Sequence, residues 1–436
     1  MKYVSTRGGA AVSLDDALLH GIAPDGGLFI ADSLPLFEPR HFAAADSIQA
    51  IAELLLQPFF AGSKLRRELP AIVAETFAFQ IPVSALTGYR HSLQMLELYH
   101  GPTAAFKDVG AGFLAACLCR LHDAANEPLT ILVATSGDTG GAVAAAFNER
   151  PGTRVVVLFP EGRVSARQAH QLSCWGDNVL SLSVLGSFDD CQTLAKAAMA
   201  DPALSARHHF SSANSINIGR LLPQCTYYAY ASLQHFRRTG NRPSFIVPTG
   251  NLGNAFACIM AREMGLPIGE IVLASNANRI IADFLAGAEW LPRESIRTLA
   301  SAMDVGNPSN MERLRELLGE ADSLRQSLQV IVVDDARIEA EIRRNFTEHG
   351  LTVCPHTATA TAAYRQLDAA THRQQDWILV ATAHAAKFEQ IVEPLIGETV
   401  PIPASLQQIL SRPADAITVP PDLTALAGAL DEVFAA

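Results

Sequence analysis

The sequence predicts an α/β protein of two parallel-sheet units preceded by a small N-terminal segment. Three observations carry that prediction. Short β-rich runs alternate with helical patterns from residue 130 onward, and the alternation starts afresh after the basic, Pro-containing stretch 237–243. Where the strands end, the loops are rich in Gly, Ser, Thr and Asn. Such alternation lays helices on the faces of a parallel sheet, and sheets of this kind hold ligands beyond the carboxyl ends of their strands. The length of 436 residues is enough for two or three cores. We divide it into an N-terminal segment (1–90), a small α/β unit (91–230) and a larger α/β unit with a tail (231–436).

In chain order, Pro24-Asp25-Gly26-Gly27 is a turn signal before a strand at 28–30, and a helical pattern covers 48–60. Nothing in this segment carries obvious chemistry. A Gly101-Pro102 turn then ends an apolar run, Lys107 stands between Phe106 and Asp108, and a helical pattern runs over 109–121. The first alternating set has strands at 130–135, 154–159, 178–184 and 208–210, with helices at 140–148, 166–172 and 191–199. The second has strands at 245–247, 270–274, 329–333, 351–353 and 377–381. Residues 401–436 read as a Pro-broken tail ending in one helical run.

Composition narrows the function classes. The net charge is −11 and no Lys/Arg tract occurs, which argues against nucleic acid or an anionic membrane as partner. No apolar run reaches the roughly 18–20 residues of a membrane span. The N-terminus lacks the apolar core of a signal peptide, so a cytoplasmic protein is expected. The seven cysteines are odd in number and lack zinc-ligand spacing, as expected of buried thiols in a reducing compartment. An anionic substrate would need a local cluster of donors.

The chemistry centres on Lys107. A lysine at a helix entrance beside an aromatic can be an amine nucleophile, because desolvation lowers its pKa. Two loops, Ala134-Thr135-Ser136-Gly137-Asp138-Thr139-Gly140 and Pro248-Thr249-Gly250-Asn251-Leu252-Gly253-Asn254, each lead from a strand into a helix. There the helix dipole and unpaired N–H groups favour an anion. Neither loop is a dinucleotide fingerprint or a P-loop. Arg163, Ser215, Asn217 and Arg220 follow further strands as potential donors, and guanidinium groups fit phosphate oxygens. His356 and His384 lack supporting ligands at metal-site spacing, so no metal is expected.

Assembled, these residues resemble the threonine synthase family, fold-type II pyridoxal-phosphate (PLP) enzymes with a tryptophan synthase β-like fold. The likeness runs from Tyr3-Val4-Ser5-Thr6-Arg7-Gly8 and Pro24-Asp25-Gly26-Gly27-Leu28 through His100-Gly101-Pro102-Thr103 and Phe106-Lys107-Asp108. It continues in Phe188-Asp189-Asp190-Cys191-Gln192, Asn214-Ser215-Ile216-Asn217, Thr249 to Gly253 and Ala302-Met303-Asp304-Val305, and closes on Thr382-Ala383-His384 with Ala386-Lys387-Phe388. The resemblance implies that Lys107 holds PLP covalently and acts as acid and base. It implies that Gly250, Asn251, Leu252, Gly253 and Asn254 cradle the cofactor phosphate, and that Thr382 meets the pyridine nitrogen. A hydroxyl is a poor counter-ion, so that nitrogen would stay neutral. Ser136, Gly137, Asp138 and Thr139 would bind the substrate α-carboxylate, with Arg163, Ser215, Asn217 and Arg220 as candidates for its phosphate.

The implied reaction converts O-phospho-L-homoserine and water to L-threonine and phosphate, in a monomer or homodimer without nucleic-acid or membrane partners. The sequence departs from the family pattern at Cys354, where an acidic residue is expected, at Ala385, where proline is usual, and at Arg279, where aspartate is common. Two alternatives share the fold: a dehydratase or phospho-lyase releasing 2-oxobutanoate, and a catalytically silent binding protein. A dinucleotide oxidoreductase is more distant, because no acidic ribose-binding residue follows a proper glycine fingerprint.

Overall fold

The computed structural model describes residues 1–88, 93–122, 127–135 and 137–434. Two parallel sheets organise them. One has six strands in the order Gln329–Val332, Ile271–Ser275, Ser244–Pro248, Trp377–Ala381, Leu93–Glu97 and Val83–Ala85, with only the last pair antiparallel. The other has five parallel strands, Ile417–Val419, Val179–Val184, Thr153–Pro160, Leu129–Ala134 and Phe210–Ser212. An antiparallel pair, Tyr3–Ser5 with Phe29–Ala31, belongs to the N-terminal segment.

The strand orders explain where the polar loops go. In the five-stranded sheet the chain runs outward from Leu129–Ala134 to Val179–Val184, then returns to add Phe210–Ser212 on the other side. In the six-stranded sheet Trp377–Ala381 is inserted between Ser244–Pro248 and Leu93–Glu97. Each reversal leaves a crevice beyond the carboxyl ends of the strands flanking it. The loops after Ala134, Ser212, Pro248 and Ala381 lie at these two crevices.

The helix Lys107–Leu121 is buried along both sides, from Val109 and Phe113 to Cys117. It packs between helices Leu69–Thr76 and Asp138–Phe147, which is why its sequence is apolar nearly all round. This fixes the helix on which Lys107 sits.

Three expectations are corrected. The strand expected at 208–210 starts only at Phe210: His208 ends helix Pro202–His208, His209 caps it in a left-handed conformation, and the strand is Phe210–Ser212. Residues 351–353 join no sheet, because they only connect the Gly350 cap of one helix to the Cys354 cap of the next. The tail contains a strand, Ile417–Val419, whose β-branched residues complete the edge of the five-stranded sheet. Sheet membership also crosses the boundaries drawn from sequence: Leu93–Glu97 belongs with the six-stranded sheet, and the tail strand returns to the other.

Candidate active site

The Lys107 loop is held by short-range bonds and by the six-stranded sheet. Leu98 N donates to Ala381 O (3.0 Å), Phe106 N to Thr382 O (2.8 Å) and His384 N to Ala104 O (3.0 Å). Asp108 accepts from Thr103 N (2.9 Å) and from the Thr103 hydroxyl, closing the turn in front of the helix. Lys107 therefore leaves a rigid helix entrance. Its side chain is 14% exposed, with Nζ 3.8 Å from Asp138 Oδ2 and 4.8 Å from the centre of the Phe106 ring.

A second lysine shares that carboxylate. Lys387 Nζ is 2.8 Å from Asp138 Oδ1 and donates to Thr103 O at 2.7 Å. Burial holds the Lys107 amine below its ordinary pKa, with Lys387 and Arg220 adding to the effect and Asp138 opposing it. Burial alone would push the Asp138 carboxyl up; Lys387 and then Lys107 outweigh it and hold Asp138 ionised. A lysine poised to lose a proton beside a permanent carboxylate is suited to imine chemistry and proton transfer.

Across the cavity, the loop after Ser244–Pro248 turns sharply into helix Gly253–Glu263, with Leu252 left-handed at φ 62°. Gly250 is required by contact: a Cβ there would lie 2.6 Å from Met303 Cα. Asn254 Oδ1 accepts from the hydroxyls of Tyr227 (2.5 Å) and Tyr228 (2.9 Å), yet its buried Nδ2 has no partner. An unused amide donor at a helix N-terminus suits a phosphate. The donor set fits PLP. Lys107, Gly250, Asn251, Leu252, Gly253, Asn254 and Thr382 all line one cavity of about 600 Å³.

The candidate substrate residues separate. Arg220 is buried in the same cavity wall, donates Nη1 to Ala213 O, and has no partner for Nε. Burial pulls its pKa down to about 10, so it remains charged at neutral pH. Ser215 also lines the cavity and accepts from Asn251 Nδ2 at 2.6 Å. Thr139 lines it too, while Ser136 lies outside the described residues.

Four of the expected substrate residues are placed or engaged otherwise, although Asp138 does line the cavity. Asn217 is away from the cavity lining: its amide serves Leu18 O (2.9 Å) and Ser212 O (3.3 Å), and its oxygen accepts from Gly219 N (2.9 Å). Arg163 is exposed after strand Thr153–Pro160, outside the lining. The Asp138 carboxylate is committed to the two lysines and also accepts from Gln168 (3.2 Å), so it repels rather than binds another carboxylate. Gly137 N already donates to Thr135 Oγ1 (3.0 Å). Among the described residues of that loop, Thr139 in the first turn of helix Asp138–Phe147 is available to a carboxylate.

Sequence reasoning missed several residues. Arg313 is fully buried and donates to Phe29 O (2.9 Å), Asn310 Oδ1 (2.7 Å) and Ile216 O (2.5 Å), fixing the Ser215 loop against the N-terminal segment. Its helix, Met311–Leu318, reads as an ordinary charged surface helix, so no local signal marks it. Arg7 lines the cavity mouth, paired with Glu312 at 2.6 Å. His356, singled out in the sequence as a histidine without metal-site partners, also lines the cavity, and its Nε2 accepts from Ala302 N at 3.0 Å. Lys387 had a signal, a charged residue following an apolar strand. Among the described residues no three His, Cys, Asp or Glu gather as metal ligands.

A lysine at a buried helix entrance, opposite a glycine-loop helix N-terminus at the switch points of two parallel sheets, defines a PLP-dependent enzyme of fold type II. The comparisons agree: residues 83–383 match the family described as pyridoxal-phosphate dependent enzyme. Residues 2–77 match the threonine synthase N terminus and residues 357–429 its C-terminal region. The chain belongs to the threonine synthase family. It is 37% identical to threonine synthase from Escherichia coli K12 over 419 residues, 95% of each chain. The crystal structure of the Escherichia coli enzyme covers 99% of this chain and is itself covered completely, with a TM-score of 0.88 at 35% identity. PLP-bound threonine synthase from Brucella melitensis covers all of this chain and is itself wholly covered, with a TM-score of 0.90 at 32% identity. The cofactor is accordingly pyridoxal phosphate, and the enzyme is a lyase.

Proposed function

We propose that this chain converts O-phospho-L-homoserine and water to L-threonine and phosphate, with Lys107 as the cofactor lysine and proton carrier. One observation carries the reading. Two unused buried donors, Asn254 Nδ2 and Arg220 Nε, line the same cavity as Lys107 from different loops. A phosphorylated cofactor and a phosphorylated substrate need two separate anion sites, which is what two such donors offer.

PLP, when bound, would supply an electron sink that lets protons leave the substrate's carbon skeleton. Lys107 takes the Cα proton; burial lowers its pKa and so favours the unprotonated amine that can accept it. The 250–254 loop binds the cofactor phosphate through helix N-terminal N–H groups and Asn254, and Thr382 meets the ring nitrogen. Thr139 and the first turn of its helix hold the α-carboxylate. Arg220 and Ser215 hold the substrate phosphate and orient it as it leaves Cγ. The loops of both sheets exclude water until the addition at Cβ.

Further parts of the reading are a cytoplasmic enzyme acting on a small molecule as a monomer or homodimer. Supporting it, all seven cysteines are unpaired and six are buried, and no helix among the described residues is long and apolar enough to cross a membrane. The test is a product assay on phosphohomoserine with the wild type and Lys107→Ala. Threonine from the wild type and no turnover in the variant are expected. 2-Oxobutanoate as the sole product, or an active variant, would overturn the reading.

A further inference from the structure

We propose that Lys387 is a positioning residue for Lys107: fixed on Asp138 as a buried cation, it absorbs that carboxylate's charge and leaves the Lys107 nitrogen free to give up and regain its proton.

The geometry is asymmetric. Lys387 has a side chain 1% exposed and sits 2.8 Å from Asp138 Oδ1, whereas Lys107 stands 3.8 Å from Oδ2. Lys387 does not line the cavity, so it acts through Asp138 and not on a ligand. Its backbone is held firmly. The turn Ala385–Phe388 follows the His384 cap, Ser165 Oγ donates to Lys387 O at 3.2 Å, and Arg167 donates to Ala386 O at 2.6 Å. Its ammonium also donates to Thr103 O, in the loop that presents Lys107. Three segments therefore meet on one buried charge.

The groups facing Lys107 are Asp138, Lys387, Arg220 and Asp108, with His356 close enough to feel its charge. Asp108 is occupied by Thr103, and His356 is kept neutral by burial. Without Lys387, the Asp138 carboxylate would have Lys107 as its nearest cation and would hold the proton on it. A mere strut would be replaceable by any side chain that preserves the fold; a charge that sets proton affinity is replaceable only by another cation.

The inference rests on Lys107 being the cofactor lysine, so the test separates the two. In the full chain loaded with PLP, borohydride trapping followed by peptide mass spectrometry should mark Lys107. A mark elsewhere overturns both readings. The visible absorbance against pH reports the proton on the Lys107 nitrogen. Its midpoint should rise by about one unit, a tenfold change in proton affinity, in Lys387→Met and stay near the wild type in Lys387→Arg. The acidic limb of the kcat profile should move the same way. An unchanged midpoint in a folded Lys387→Met chain overturns the inference while leaving the Lys107 assignment intact. If that variant does not fold, Asp138→Asn/Lys387→Met removes both charges. Its midpoint should lie near that of the wild type, as the loss of a mutually cancelled pair, and a midpoint lowered by about a unit, as the loss of an uncompensated carboxylate, overturns the inference.

Discussion

Asn251 Nδ2 donates to Ser215 Oγ at 2.6 Å, tying the glycine loop of the six-stranded sheet to the polar loop of the five-stranded sheet. The same side chain accepts from Ser309 N (2.6 Å) and Ser309 Oγ (3.0 Å). The candidate cofactor-phosphate and substrate-phosphate loops are thus stitched by one amide. Asn251→Ala should loosen both, with PLP dissociation and the KM for phosphohomoserine each rising about tenfold, the order of one good hydrogen bond lost on each side of this half-buried amide. Equilibrium dialysis of PLP beside steady-state kinetics checks whether the two move together.

Arg220 should matter most for substrate affinity. Arg220→Gln removes the charge but keeps a polar side chain, and the KM should rise about a hundredfold, the order expected for a charge-assisted contact. Gly110→Ala should act in the same direction without touching the cavity, because a Cβ there would lie 2.7 Å from Arg220 O and 2.9 Å from Arg220 Nε. PLP content measured by absorbance should be unchanged in both.

Arg163 and Asn217 provide the contrast. Arg163→Ala should stay within about twofold of the wild type in kcat/KM, because the residue is exposed and outside the cavity. Asn217→Ala should instead cost about 1–3 kcal/mol of stability, since it strips partners from Leu18 O and Gly219 N in the interior. Thermal melts beside kinetics distinguish a lost fold contact from a lost ligand contact.

Part of the acid sensitivity should trace to His356. Burial lowers its pKa from the ordinary 6.5 to about 4, against the pull of Asp138. Between those values the unfolded chain takes a proton that the folded chain refuses, so stability falls as pH drops through the window and is full above it. The loss approaches about 3 kcal/mol by the acid end. Urea denaturation at neutral pH and near the acid end of that window should show it, and His356→Gln should reduce the difference without abolishing it, because burial lowers the His384 pKa to about 4 as well.

Much of the fold was legible in the sequence because strand–helix alternation is a local, periodic signal. Strand Trp377–Ala381 falls on the span expected for it, and 130–135 and 154–159 differ from the observed strands only at their ends. The failures are non-local. Residues 351–353 look like a strand but have no neighbouring edge to join, whereas Ile417–Val419 joins one that the sequence could not locate. Of the candidate site, Lys107, the 250–254 loop, Thr382, Arg220 and Ser215 converge on one cavity. Asn217 has the right residue type but serves backbone groups instead.

The sequence by itself determined the family and the order of loops and singled out Lys107 as the candidate lysine, because those are carried by motifs that persist along the chain. Only the tertiary structure decided which donors are still available to a ligand. Arg313 comes from a charged helix and Arg7 from the N-terminal segment, yet both meet around the Ser215 loop and cavity mouth. Lys387 and Lys107, far apart in the chain, share the Asp138 carboxylate. Hydrogen-bond commitment and burial depend on what is packed against a side chain, and packing brings together residues that no local pattern links. Lys107 was marked by its motif; its low proton affinity was set by neighbours the motif does not contain.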